Sequence, residues 1–397
     1  MKDFFANVPE APLDPVFGRL SMFHSDHRPN KTNLIVGSYR DDKLEAHPLH
    51  SIRTAEQELA SREISCDYLP IDGHEGFLQH IGELLFGGPL WQNIRDQTYC
   101  AQSVGGAGAI RIGAEFLKHE VSERVFISDP TWVNHRPIFE RAGCKVAGYP
   151  YYNRQYHRFD CQAVIEALRN VPETSTIVFH SHCHNPTGAD PSIDEWHQLE
   201  DVCHKRRLFP MFDCAYQGFG DDLESDAYAI RYFAAKGHEM AVAYSCSKNF
   251  GLYSQRIGAL FLLTHTKDAR LRVMNQVSRL IRANYSNPPR HGAMLVHHVL
   301  GHEALRLEWK QELLVMRHRL HGVRKKLVEA LGRDDYAYIL KQKGMFSLLE
   351  MQVDQVRELI DAFGIYLLDN GRISLAGLND ANIPYVASAL LKVLRPT

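Results

Sequence analysis

From about residue 98 to residue 264 the chain alternates short, almost wholly apolar runs with longer amphipathic stretches, and few architectures satisfy both. The runs "RVFISD", "STIVFHSH", "RLFPMFDCAY", "EMAVAYSCS" and "RIGALFLLT" read as strands buried on both faces. Between them, "DEWHQLEDVCHKRRL" and "DAYAIRYFAAKGH" place apolar residues at helical spacing. Strands apolar on both faces need cover on both faces, so the expected fold is α/β, a sheet flanked by helices. In such folds ligands bind at the carboxyl ends of the strands, where Asn185, Asp213, Tyr216 and Lys248 are expected to fall.

Residues 303 to 331 keep apolar side chains at helical spacing (Leu313, Met316, Leu320, Val323, Leu327) up to Gly332, a plausible C-cap. This long helix is expected to lead into a smaller α+β domain that begins near "GMFSLLEM" and holds a strand pair around "DNGRISLAG". The first ~45 residues, rich in Pro and Asn, are expected to pack on it. The expected division is thus a large domain over 46–309 and a small one built from 1–45 and 310–397.

A formal charge of -2 with no long Lys/Arg tract argues against a nucleic-acid partner. Residues 1–15, "MKDFFANVPEAPLDP", carry charges and prolines where a secretory signal needs an apolar stretch, and no run of ~18 apolar residues occurs. A cytoplasmic protein without a membrane span is expected. Its eight cysteines stand singly, which suits reduced thiols.

"QSVGGAGAIRIGAEFL" is a glycine-rich turn opening a helix with Ile110, Ala114 and Leu117 on one face. Free N–H groups and the helix dipole there suit a phosphate, although neither a dinucleotide fingerprint nor a Gly-Lys-Ser/Thr is present, and a plain tight turn is the other reading. "HSHCHNPTG" invites a metal reading, but successive strand residues face opposite ways and no ligand set is completed. No metal is expected. In the same stretch Asn185 can donate to a ligand oxygen, and Pro186 can hold it in place through a cis bond. Asp213, ending a buried run three residues before Tyr216, needs a cationic partner, whether a ligand, a helix cap or a simple salt bridge.

Lys248 has two chemical readings. Ser245-Cys246-Ser247-Lys248 fits the Ser-x-x-Lys pattern of acyl hydrolases, but neither Ser-Asp-Asn nor Lys-Thr-Gly accompanies it. Alternatively, a desolvated Lys248 near other cations is a nucleophilic amine able to form a Schiff base with an aldehyde. Taken together, a phosphate cradle, a strand-end Asn, a buried Asp near a Tyr, and a Lys followed by Arg256 are the parts that pyridoxal phosphate requires.

These motifs, in this order, resemble the fold-type I aminotransferases of the aspartate and aromatic branch. The resemblance runs from "GSYRD" through "YLPIDG", "GGAGA", "DPTWVNH", "HCHNPTG", "DCAYQGF", "SKNFGLYSQRIG" and "RANYSNPP" to "GMFS" and "NGRISLAG". It implies a mostly parallel, seven-stranded-type sheet and a homodimer with shared active sites. Lys248 would join the cofactor and later move the substrate proton. Asp213 would pair with the pyridine nitrogen, backed by His135; Asn185 and Tyr216 would hold the phenolic oxygen, and Trp132 would stack on the ring. Gly106, Ala107, Ser245 and Arg256 would hold the phosphate, with Tyr68 reaching in from the partner subunit as both a cofactor contact and a catalytic group. Gly37, Trp132 and Asn185 would line the substrate, Arg372 would grip its α-carboxylate, and Arg282 of the partner subunit would meet a side-chain carboxylate.

One departure stands out. The family commonly carries Ser or Thr where this chain has Ala107, so one phosphate contact is expected to be missing and the cofactor to be held less firmly. The implied reaction is a ping-pong transfer of the amino group of aspartate, tyrosine or phenylalanine to 2-oxoglutarate. "RANYSN" resembles the aspartate enzymes, while "YLPIDG", "DPTW" and "TGADP" resemble the aromatic ones. A lyase on the same scaffold, such as an aspartate β-decarboxylase, is the nearest alternative. The Ser-x-x-Lys hydrolase and a non-catalytic regulatory module are more distant.

Overall fold

The structure, a computed structural model, describes residues 3–394 apart from Val36 and Ile64. Seven strands form one sheet: β1 (Thr98–Val104), β2 (Arg124–Asp129), β3 (Lys145–Pro150), β4 (Thr176–His180), β5 (Phe209–Cys214), β6 (Met240–Ser245) and β7 (Ile257–Leu263), in the order β1-β7-β6-β5-β4-β2-β3. All neighbours are parallel except β7, which runs antiparallel to both β1 and β6. The mostly parallel sheet implied by the resemblance is therefore present.

Strand alternation divides the apolar runs between two cores. Ile177, Phe179, Phe212, Val242 and Phe261 point into one, and Val178, Met211, Ala241, Ala243, Leu260 and Leu262 into the other. Helix α1 (Gly105–Glu120) covers the second face with Ile110, Ala114 and Leu117. It lies close to the sheet because Gly113 has no side chain: a Cβ there would sit 3.0 Å from the Met211 methyl. Helix α2 (Ile193–Lys205) contributes Trp196 and Leu199 to the first core, and a capping box between Ser192 and Glu195 starts it.

Some stretches differ from their sequence reading. "RLFPMFDCAY" becomes a strand only from Phe209, after the left-handed Arg207 at φ 50°. "DAYAIRYFAAKGH" opens as a 3-10 turn over Ser225–Ala227 before helix α3 (Tyr228–Ala235). Helix α4 (Glu303–Leu331) runs unbroken to Gly332 at φ 59°, so the expected boundary at 309/310 falls inside one continuous helix.

At the amino end, Thr32–Asn33 pairs in parallel with Ile365–Tyr366, and Arg28 donates to the carbonyls of Ile360 and Asp361. Farther upstream, Phe4, Phe5, Val8 and Leu13 are exposed rather than packed. Phe346–Leu348 pairs with Arg372–Ser374, the expected strand pair of the carboxyl end. Among the described residues, no helix is long and apolar enough to cross a membrane, and the eight cysteines are unpaired.

Candidate active site

The strand directions bring distant segments to one edge. The carboxyl ends of β1, β4, β5 and β6 lie there, and antiparallel β7 begins there. Ile257 pairs with Val104 and Gly258 with Ser245, which sets Arg256 between the start of α1 and the end of β6. Arg256 itself is left-handed, at φ 53°. For a residue other than glycine that conformation costs roughly 1–3 kcal/mol and is held by its surroundings.

Two glycines make room for this approach. A Cβ at Gly105, φ 69°, would lie 2.6 Å from the Arg256 guanidinium, and one at Gly106 would lie 2.9 Å from the Ser245 Cβ. No side chain caps the α1 N-terminus, so its first N–H groups stay available to an anion. The turn is thus a shaped cradle of N–H groups and a guanidinium.

A cavity at this edge is lined by Gly106, Ala107, Trp132, Asn185, Asp213, Tyr216, Ser245, Lys248 and Arg256. His180, Ala215 and Ser247 also line it, and sequence reasoning assigned none of these three a site role. His180 had a signal, since it sits in the histidine-rich run, and its ring packs both on His184 of that run, at 4.4 Å, and on His135 from outside it, at 5.0 Å. Asn185 precedes Pro186 through a cis bond, as expected.

Behind the cavity, Asp213 Oδ2 lies 3.1 Å from His135 Nε2, and His135 Nδ1 lies 2.7 Å from Thr131 Oγ1. A carboxylate only accepts, so Nε2 donates to Asp213, and the contact with Thr131 fixes the ring's orientation. Burial works against ionisation of Asp213, but the His135 hydrogen bond, with the Lys248 charge beside it, outweighs it and holds the carboxyl below its usual range. Among the described residues its Oδ1 has no hydrogen-bond partner. Burial drops His180 to about 3, so that ring is neutral, and neither of its nitrogens has a partner.

Lys248 carries its ammonium 5.2 Å from the centre of the Tyr216 ring. Burial lowers it to about 8; Asp213 pulls upward, while Arg256 and Arg372 push further down. An appreciable fraction is therefore free amine near neutral pH. Arg372 is buried, with its guanidinium 4.2 Å from the centre of the Phe346 ring and 3.4 Å from Asn185 Oδ1. Among the described residues no carboxylate pairs with it, and its Nε lacks any partner. A buried cation left in that state is a binding site for an anion.

Five expected residues do not line the cavity: His135 lies behind Asp213, Arg372 lies beside Asn185, and Gly37, Tyr68 and Arg282 lie elsewhere. Gly37 is half-buried, and a Cβ on it would reach Phe346 at 3.7 Å. Tyr68 is 85% exposed, and Arg282, at the end of the helix Lys267–Asn284, is exposed too. Both lie on one surface: Arg282 contacts Ser286 and Asn287, and the Asn287 amide donates to the Leu69 carbonyl at 2.8 Å.

A phosphate cradle, a desolvated amine and a carboxylate at the strand ends of an α/β sheet define an enzyme site for an aldehyde cofactor bearing a phosphate. Residues 29–390 match the family described as aminotransferase class I and II, and the chain belongs to it. It is 41% identical over 397 residues to the aspartate aminotransferase of Escherichia coli, spanning 98% of this chain and all of that one. The tyrosine aminotransferase of Klebsiella pneumoniae is 39% identical over 387 residues, 96% of this chain and 98% of the relative. Among solved structures, the aromatic-amino-acid aminotransferase of Burkholderia pseudomallei, covalently bound to pyridoxal phosphate, superposes with a TM-score of 0.95 at 41% identity, over 99% of this chain and all of that one.

The residues fit pyridoxal phosphate. An aldehyde needs the part-neutral Lys248 amine, and a pyridinium N–H needs a carboxylate oxygen such as Asp213 Oδ1. A phosphate needs the space that Gly105 and Gly106 leave open.

Proposed function

We propose that this chain is a pyridoxal-phosphate aminotransferase that moves the amino group of aspartate or an aromatic amino acid to 2-oxoglutarate in two half-reactions. The observation that carries the reading is Lys248, a buried amine lowered to about 8 in a cavity that also holds Asp213, Tyr216 and Arg256. When bound, the cofactor supplies an aldehyde for the amino group and a ring that accepts the electrons of the broken Cα–H bond.

The side chains would divide the remaining work. Lys248 would be the base that takes the proton from the substrate Cα and delivers it to the cofactor, and in the second half-reaction would carry a proton from the cofactor to the Cα of the incoming oxo acid. Asp213, kept ionised by His135, holds the ring nitrogen in its protonated form. Tyr216, whose phenol burial keeps protonated, and Asn185 donate to the phenolic oxygen. Trp132 covers the ring, while Gly106, Ala107, Ser245 and Arg256 anchor the phosphate. Arg372 takes the α-carboxylate on its planar fork, beside Gly37 and Asn185.

Tyr68 and Arg282 would act across a homodimer, completing the partner's site at the phosphate and at the substrate side chain respectively. Their exposure on one surface supports that reading. Residues 1–45 and 310–397 would form the small domain, 46–309 the large one, and the protein would work in the cytoplasm. Arg282 favours dicarboxylates, and the likeness to both aspartate and tyrosine enzymes favours dual specificity.

An absorption spectrum tests the core of this. The purified protein should show a visible cofactor band that aspartate, tyrosine or phenylalanine each convert to a near-ultraviolet form without added oxo acid, and Lys248→Ala should not complete the conversion. Stoichiometric keto acid without carbon dioxide or alanine separates transfer from β-decarboxylation. A colourless protein that added pyridoxal phosphate cannot reconstitute would refute the assignment.

A further inference from the structure

Far from Lys248, at the opposite end of β6, three potential metal ligands meet. Glu200 and His204 stand one turn apart on α2, which puts them on the same helix face. His238 enters from the turn between α3 and β6, just after the left-handed Gly237. One ligand atom from each lies within 4.8 Å of the other two. The His238 Nε2 is 2.8 Å from Glu200 Oε1, both side chains are more than nine-tenths buried, and the His204 and His238 rings are 5.8 Å apart. His204 and His238 line a cleft of about 660 Å³, with Glu200 behind its wall against His238.

A buried His–Glu hydrogen bond that ties a helix to a turn would explain Glu200 and His238 but leaves His204 without a task. A shared ion accounts for all three. Zinc in a tetrahedron with ligands at about 2.0–2.2 Å needs them roughly 3.3–3.5 Å apart. Exposed His204 can swing to close the difference without disturbing the core. Among the described residues, the one guanidinium on the cleft wall, Arg207, is already paired with Glu173.

We propose that Glu200, His204 and His238 form a site for zinc(II), with water from the cleft as the fourth ligand. Two imidazoles and one carboxylate suit zinc rather than magnesium or calcium, which prefer all-oxygen sets. The ion would clasp α2 to the start of β6. Strand β6, six residues long and so spanning about 20 Å, separates it from Ser245 and the reaction cavity. The site stands apart from the transamination chemistry.

The test uses the cofactor-loaded enzyme after chelator treatment, titrated with zinc against a fluorescent zinc indicator and followed in thermal melts. One zinc should bind per chain and raise the melting midpoint. His204→Ala, an exposed change, and Glu200→Gln, a conservative one, should each weaken binding at least about tenfold and abolish the rise, with zinc-free transaminase activity unchanged. The proposal falls if the tightest zinc site keeps its affinity in His204→Ala, if wild type binds no zinc at micromolar free metal, or if magnesium alone produces the same stabilisation.

Discussion

Lys248 illustrates how far one residue's chemistry depends on what surrounds it. A lysine in the unfolded chain titrates near 10.5, whereas burial brings this one to about 8 in the fold, with Arg256 and Arg372 adding to the push against Asp213. Below pH 8 both folded and unfolded cofactor-free protein carry the ammonium, and the folded state bears the whole cost of burying it. Between about 8 and 10.5 the folded protein has released a proton that the unfolded chain retains, so this group's contribution to stability rises with pH across that window. Thermal midpoints of the cofactor-free wild type should therefore lie below those of Lys248→Met near pH 7 and converge with them towards pH 10. A gap that stays constant over that range would show an unshifted lysine. Arg372 follows the same logic of burial without a carboxylate partner, and its role could not be read from "NGRISLAG" without a resemblance.

Elements explain why the cradle is shaped as it is. Helix α1 starts where β1 ends, and the antiparallel entry of β7 delivers Arg256 to the same point, so two glycines must stand there in succession. Gly106→Ala would drive a Cβ to 2.9 Å from the Ser245 Cβ, closer than real contacts allow. We expect a loss of about 1–3 kcal/mol in stability from overpacking, read as a lower melting midpoint, together with faster loss of pyridoxal phosphate on dialysis. The glycine-rich turn and its helix were legible from sequence, as were the long helix to Gly332 and the apolar strands, because each rests on local periodicity. Strand ends were less so: Arg207 in the left-handed region delays the start of β5, and nothing in "RLFPMFDCAY" announces it.

The whole molecule raises the question of where Tyr68 and Arg282 act, since neither reaches the cavity of its own chain. If active sites are shared in a symmetric dimer, a heterodimer of Lys248→Ala with Arg282→Ala holds one site with both defects and one with neither. Such heterodimers should recover up to about half of wild-type aspartate transamination, while each homodimeric variant stays far below it. Recovery no greater than the mean of the two parents would place Arg282 outside the partner's site. A shared site would also explain why both residues cluster on a surface held by Arg282, Asn287 and Leu69 rather than in the core.

By itself the sequence determined the α/β class, the helix and strand types, and the chemical inventory, because periodicity and residue type are local properties that survive without coordinates. Asp213, Lys248 and the glycine pair could be singled out on that basis. Only the tertiary structure decided which groups face one another. It brought His135 and the unpartnered His180 to Asp213, set Arg256 against Gly105 through strand register, left Arg372 without a carboxylate, and brought His238 to the Glu200–His204 face of α2. Each of those pairings spans strands or helices distant in the chain, and pKa, ion affinity and shape arise from distances that no single stretch of sequence contains.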